Sequence, residues 1–261
     1  MKFTRVILTI FLSKDNLIFF IRYIPTILSI DRFSKEIEFY NFIHNDYQGH
    51  NLILSLYYKN PPDDKILVCI VEEIYKLINN LQLNLEIKYN GLFKNYLEGS
   101  IKINKKKEEI VNIDPIAFDH LISIWCINLI DQHAESIVSK DFSFLLKEYL
   151  SVVSSHQVDN KILKQHLINS YKLTVEQINE LNYTVSEIFD GSKEAESKLA
   201  ESDLKQKDIK LLSSIYEVLD KIFPNFKQGK RIDYILQSLN QRLGIDNGTY
   251  LILIFLVMYH R

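Results

Sequence analysis

Glycine and proline are scarce in this chain, seven and five among 261 residues, which excludes collagen-like and low-complexity linker architectures. Cysteine is almost absent. Cys69 and Cys126 each stand alone in an apolar stretch, without the spacing of a zinc site or a secreted disulfide framework, and are read as buried free thiols of a reducing cytoplasm. Neither charge is in surplus: 31 basic against 33 acidic residues give a net charge of −2, so no global field draws in nucleic acid or an anionic membrane. A Gly-rich phosphate loop, Cys-x-x-Cys, His-Glu-x-x-His and Gly-x-Ser-x-Gly are all missing, which leaves nucleotide, zinc and ordinary hydrolase functions without support. His120, His133, His156 and His166 are too dispersed to argue a metal site, and no cofactor or metal is expected.

Long hydrophobic runs are lacking too. Residues 1–12 begin basic and turn apolar, but the alternation of Thr4, Val6 and Leu8 and the absence of a small-residue cleavage site before Lys14-Asp15 read as a first strand. Residues 250–259 make an apolar run about half the roughly 20 residues of a membrane-spanning helix, and read as a buried final helix. What is present is bulk: 47% hydrophobic residues, with 15 Phe and 15 Tyr, enough to bury one or two substantial cores.

The expected class is α+β, with a mixed sheet and packed helices in the N-terminal part and a largely helical C-terminal part. Two regions, 1–110 and 111–261, are read as one integrated domain. Ser13-Lys14-Asp15 offers a helix start, and the pattern of residues 17–30 is interrupted at Pro25. Pro61-Pro62-Asp63-Asp64 caps a helix over about 65–81, whose Ile66, Ile70, Ile74, Leu77 and Ile78 recur at helical spacing. Residues 83–89 and 100–103 read as further strands, and Pro115 opens the first of several helices. Lys105-Lys106-Lys107-Glu108-Glu109 reads as an exposed hairpin turn or, more sharply, as a landing site for an acidic leader peptide. Residues 190–208, rich in charged and small side chains, read as the least ordered stretch.

The most telling segment is 39–56. Residues 38–43 and 51–58 are rich in aromatic and β-branched side chains, and the polar run between them holds Asn45, Asp46 and Gly49: strand, turn, strand. In the second strand Leu52, Leu54, Leu56 and Tyr58 share one face, and Asn51, Ile53, Ser55 and Tyr57 the other. With His44, Asp46 and Gly49-His50, this hairpin resembles the signature of the lantibiotic dehydratase C-terminal domain, also called the thiopeptide-type bacteriocin biosynthesis domain. That signature runs Phe-Phe-Ile-Arg-Tyr, Asp, Gly-His, then His-Leu-Arg-Leu-Arg. His44 stands for its first Arg, and Ile53 and Ser55 for its last two. A second resemblance lies in Gln237-Ser238-Leu239-Asn240-Gln241-Arg242-Leu243-Gly244, set against His-Met-x-x-Asn-Arg-Leu-x-Gly, with Gln237 in place of His.

The resemblance implies one of two chemistries. The elimination branch removes glutamate from glutamylated Ser or Thr, which suits arginines that clamp a carboxylate and a histidine that moves a proton. Ile53 and Gln237 can do neither. The other branch, free-standing enzymes of thiopeptide maturation, joins two dehydroalanines by a formal [4+2] cycloaddition that forms a pyridine and expels water and the leader peptide. A 261-residue chain beginning directly with a strand suits that branch, and such an enzyme accelerates largely by positioning. The resemblance points to His50, His44 and Gln237 as catalytic groups and to Asp46, Ser55 and Arg242 as substrate-binding groups; Arg5, projecting from the first strand, is added to the latter, and Tyr250, following Gly248-Thr249, is read as a catalytic proton donor. The implied partners are a modified precursor peptide with its leader and other enzymes of the pathway, with no nucleic acid and no membrane; homodimerisation is left open, and the expected location is the cytoplasm. Two other readings stand beside it: a non-catalytic member that binds precursor peptide or a partner, and an elimination domain of a split dehydratase in which Arg22, Arg32 or Arg231 replaces the missing pair.

Overall fold

The computed structural model describes residues 2–30, 33, 36–45, 50–80, 99–109, 112–141, 143–155, 158–191 and 206–260. The expectations for Asp46, for Arg32, for a strand over 83–89 and for most of 190–208 lie outside the described residues. The chain divides into two compact units, one of residues 1–139 and 241–244, the other of 140–240 and 245–261.

The first unit is built on four strands, β1 (Lys2–Phe11), β2 (Ile37–Asn45), β3 (Asn51–Tyr58) and β4 (Ile101–Glu109), in the order β2-β3-β1-β4. The α+β class is as expected, but every described pairing is antiparallel, so these strands are not a mixed sheet. The β2–β3 hairpin forms as the sequence predicts, with Phe42 opposite Leu54 and Asn41 opposite Ser55. The run 105–109 is not a turn. It continues β4, with Lys105 opposite Val6 and Lys106 opposite Arg5. Charge on a strand at the end of the order keeps it soluble and discourages pairing with another chain, and that pattern mimics a turn in sequence.

Register assigns the two sheet faces. One carries Val6, Leu8, Ile10, Phe42, Leu52, Leu54, Leu56 and Tyr58, all at most 2% exposed. Helices α1 (Lys14–Ile21), α2 (Ile24–Leu28), α3 (Asp64–Asn80) and α4 (Asp114–Val138) complete the unit. Ser13 caps α1 by accepting from Asn16 N–H, Asp63 accepts from Lys65 N–H at the start of α3, and Pro25 and Pro115 open α2 and α4. α1 packs on β3 and α4, and α4 runs along β2. On that outer edge of β2, Ser123 Oγ accepts from Phe42 N–H at 3.3 Å. His120 Nδ1 lies 2.9 Å from the Tyr40 carbonyl and 3.3 Å from its N–H, and the shorter contact selects the tautomer with Nδ1–H donating. The backbone groups of an edge strand are thus met by α4 side chains.

The second unit is helical: α5 (Ser143–Ser155), α6 (Asn160–Tyr171), α7 (Val175–Gly191), α8 (Gln206–Ile222), α9 (Gln228–Leu243) and α10 (Asn247–His260). The last residues of α9, from Gln241, count with the first unit. α10 is the expected buried final helix. Leu251, Leu253, Ile254, Phe255, Leu256 and Val257 are all at most 8% exposed, the pattern of a helix apolar on every side and enclosed by others; α5 and α7 pack against it. No helix among the described residues is long and apolar enough to cross a membrane. Asp246 caps α10, its carboxylate accepting from Thr249 N–H at 2.9 Å and from Thr249 Oγ1 at 2.8 Å; these bonds hold its pKa below the usual carboxylate value. Both cysteines are free, Cys126 buried and Cys69 half-buried, and burial pushes the Cys126 thiol pKa up.

Candidate functional site

In the first unit the pleat puts a polar row on the face opposite the apolar one. Arg5, Asn41, Asn51 and Ser55 share it through the pairings Arg5–Tyr57, Asn41–Ser55 and Asn45–Asn51. Arg5 donates to Ser55 Oγ twice, from Nε at 3.3 Å and from a terminal nitrogen at 3.1 Å, and its guanidinium lies 5.6 Å from the Tyr57 ring centre. Asn41, Asn51 and Ser55 are 8%, 1% and 1% exposed. Asn41, Asn51 and Ser55 are thus enclosed, and the half-buried Arg5 guanidinium is the member of this row that can offer donors to a peptide carbonyl.

His44 does not join this row. It pairs with Leu52 on the opposite face, and a Cβ built on Gly244 would stand 3.2 Å from its Nδ1. Gly244 closes α9 in the left-handed conformation, φ +67°, where glycine is favoured, and Lys14 Nζ donates to its carbonyl at 2.8 Å. His50 is exposed just before β3. Arg242 is 2% exposed and fully engaged: Nε donates to Ser123 Oγ at 3.1 Å, and a terminal nitrogen donates to Asp119 Oδ1 at 2.6 Å and to the Asp119 carbonyl at 3.3 Å.

The second unit gathers Gln237 and Tyr250 around a residue that sequence reading missed, Asp233, which is 6% exposed. Tyr250 OH donates to Asp233 Oδ1 at 2.7 Å and Gln237 Nε2 donates to the same oxygen at 3.2 Å. His166 Nε2 lies 3.1 Å from Oδ2. Gln237 Nε2 also donates to Tyr171 OH, and the Tyr171 and Tyr149 rings lie 6.0 and 6.1 Å from that of Tyr250. A carboxylate buried this deeply is tolerable because donors surround it.

Position within the cluster separates roles. Tyr250 is 1% exposed, and burial first, with the Asp233 charge second, holds its pKa well above the usual phenol value. Burial and the same charge raise that of Tyr171. Both stay protonated at neutral pH and act as hydrogen-bond donors. Gln237 is exposed and Tyr171 half-buried, so these two present the cluster outward while Asp233 and Tyr250 form its floor. Asp233 and Gln237 sit one helical turn apart on α9, a spacing visible in sequence, but His166 and Tyr171 come from α6, too far along the chain for any local pattern to pair them. No group of three or more His, Cys, Asp or Glu among the described residues could hold a metal ion.

No protein-family model and no curated protein matches this sequence. Among solved structures, the chain is similar to TbtD, a pyridine synthase from thiomuracin biosynthesis, with a TM-score of 0.65 and 11% identity over 100% of this chain and 97% of that one. It also aligns with TsrL, at a TM-score of 0.44 and 10% identity over 98% and 94% of the two chains. The first likeness establishes that this chain shares its fold with TbtD; the second carries no argument.

Proposed function

We propose that this chain is a thiopeptide-maturation enzyme that closes a central pyridine by formal [4+2] cycloaddition of two dehydroalanines. The observation that supports the reading is the Asp233 cluster, a buried carboxylate that gathers Gln237, which stands where the resembled family has its histidine, and Tyr250, in a chain with the fold of a pyridine synthase. In this chemistry an amide tautomerises to an azadiene, two carbon–carbon bonds form to the second alkene, and losses of water and of the leader as an amide each restore a double bond. The ring becomes aromatic without an oxidant. What the protein must supply is orientation and proton transfer at the tautomerising amide and at the two leaving groups.

Gln237 and Tyr171 are assigned to touch substrate, Gln237 hydrogen-bonding its amide groups and the Tyr171 phenol holding a proton toward its hydroxyl groups. Asp233 and Tyr250 act through them as positioning residues, and His166, half-buried beside Asp233, connects the carboxylate to solvent. Arg5, oriented by Ser55, is assigned to donate to peptide carbonyls. Arg242 holds α4 and does not contact substrate. His50, exposed before β3, remains a candidate acid or base.

The test is mass spectrometry of the purified protein with a leader-bearing, thiazole-containing peptide that carries two dehydroalanines. Ring closure with release of water and leader carboxamide supports the reading; unchanged mass with tight binding, or loss of glutamate from a glutamylated precursor, overturns it. Asp233→Asn is expected to lower kcat about a hundredfold, the order of a misplaced acid–base group, with KM little changed. An equal loss in KM alone would assign the cluster to recognition instead.

A further inference from the structure

A cavity of about 380 Å³ opens between one face of α6 and the start of α9. Lys161, Lys227 and Lys230 line it, all exposed, and no acidic side chain does. Among the described residues none of the three lysines makes an ion pair, and Lys230 Nζ rests 3.9 Å from the Phe226 ring centre. Ile162, 56% exposed, supplies an apolar patch, and Gln165 donates to Asn169 Oδ1 at 3.1 Å beside it. At the base, Gly229 brings the α9 backbone against His166, so that an added Cβ would stand 3.4 Å from the His166 Cβ. The same His166 reaches Asp233 at 3.1 Å. A cationic groove with an apolar spot and an amide pair thus borders the candidate catalytic cluster.

We propose that this groove docks an acidic segment of the peptide substrate in which carboxylates flank an apolar side chain. Three lysines that make no ion pair among the described residues, in a groove with no acidic side chain in its lining, call for an anionic partner. The exposed isoleucine and the amide pair suit a peptide, with its side chains and backbone amides, better than a bare inorganic anion. The proposal rests on the pyridine-synthase reading only in taking that peptide to be the substrate. A segment held here would be anchored beside His166, which shortens the search of the reacting residues for the Asp233 cluster.

The test is fluorescence anisotropy with the full-length protein and a labelled octapeptide of glutamates interrupted by leucines, against its all-glutamine and its leucine-free counterparts. Binding that weakens at least about tenfold in K161E/K227E/K230E, in the glutamine peptide and at high salt is the expected result, with I162D weakening it separately. Binding unchanged by charge reversal, displacement of the peptide by equimolar inorganic phosphate, or equal affinity for the leucine-free peptide would overturn the proposal. Ring closure in the mass assay, with KM unaltered by the triple reversal, sinks the docking site and leaves the pyridine reading standing. Octapeptide binding in a protein that closes no ring does the reverse.

Discussion

Replacing Arg242 by Ala separates a structural arginine from a substrate-binding one. Its side chain is 2% exposed and that of Asp119 41%, so the contribution of the ion pair is screened and is set at about 1 kcal/mol or less. The other bonds lie inside: Nε to Ser123 Oγ at 3.1 Å and the terminal nitrogen to the Asp119 carbonyl at 3.3 Å. Hydrogen bonds involving a charged partner contribute roughly 1.5 kcal/mol or more each. Truncation also strips packing from a buried stem. Together Arg242→Ala is expected to destabilise the first unit by about 3–4 kcal/mol. Asp119→Asn, which removes only the screened term, should cost about 1 kcal/mol or less, and Arg242→Lys, which loses the planar fork, should fall between.

The assay is built into the chain. Trp125 is the single tryptophan, 1% exposed in α4, two residues from Ser123, so its fluorescence follows unfolding of the first unit. With a urea m-value of about 2 kcal/mol/M, the Ala variant's midpoint should drop by roughly 1.5–2 M. At low temperature and without denaturant the folded fraction should retain wild-type kcat. A midpoint within about 0.3 M of wild type, combined with lost ring closure, would refute the structural assignment and return Arg242 to the substrate.

Gly244→Ala places a Cβ 3.2 Å from His44 Nδ1 and 3.4 Å from Lys14 Cε at φ +67°; the left-handed backbone alone costs about 1–2 kcal/mol, and Gly244→Asn, which tolerates that conformation, should cost less by the same urea titration. His120 carries a pKa held below the ordinary imidazole value, by burial first, with the hydrogen bond to the Tyr40 carbonyl opposing. The unfolded chain therefore binds its proton at higher pH than the native state does, and stability present above about pH 6.5 is lost as pH falls from there toward the folded pKa. Comparing Trp125 unfolding at about pH 7.5 and pH 5.5, His120→Asn should flatten that part of the slope; a slope identical to wild type would show that His120 is not its source.

What was legible in the sequence is what local chemistry dictates. The hairpin strands follow from alternation, and the starts of α1, α3 and α4 follow from Ser13, Asp63 and Pro115. The lysine run of β4 was not legible as strand, because charges that protect an edge look like charges that fill a turn. Nor was the parting of His44 from Ser55. Sequence shows that each alternates, but the β2–β3 register decides that His44 faces Leu52 and Asn41 faces Ser55, and one residue of slip would exchange the faces. Asp233 was hidden for another reason: in sequence it is an ordinary acid within a helix, and only the packing of α6 and α10 against α9 brings His166, Tyr171 and Tyr250 to it.

The same packing bears on the choice between elimination and ring closure. Expelling glutamate calls for cations free to grip a carboxylate, and the two family positions that would supply them hold Ile53 and Ser55. Of the proposed substitutes, the two among the described residues already have partners. Arg22 pairs with Asp131 at 3.4 Å, and Arg231 donates to Asp220 and to the carbonyls of Phe223 and Pro224. Ser55 accepts from Arg5, which turns that guanidinium toward a neutral hydroxyl. On the proposed reading, amides, phenols and one enclosed carboxylate would suit neutral reacting groups whose protons must be moved over short distances. Cycloaddition followed by two redox-neutral eliminations is chemistry of that kind, and it makes no demand for a carboxylate clamp at the positions where this chain carries none.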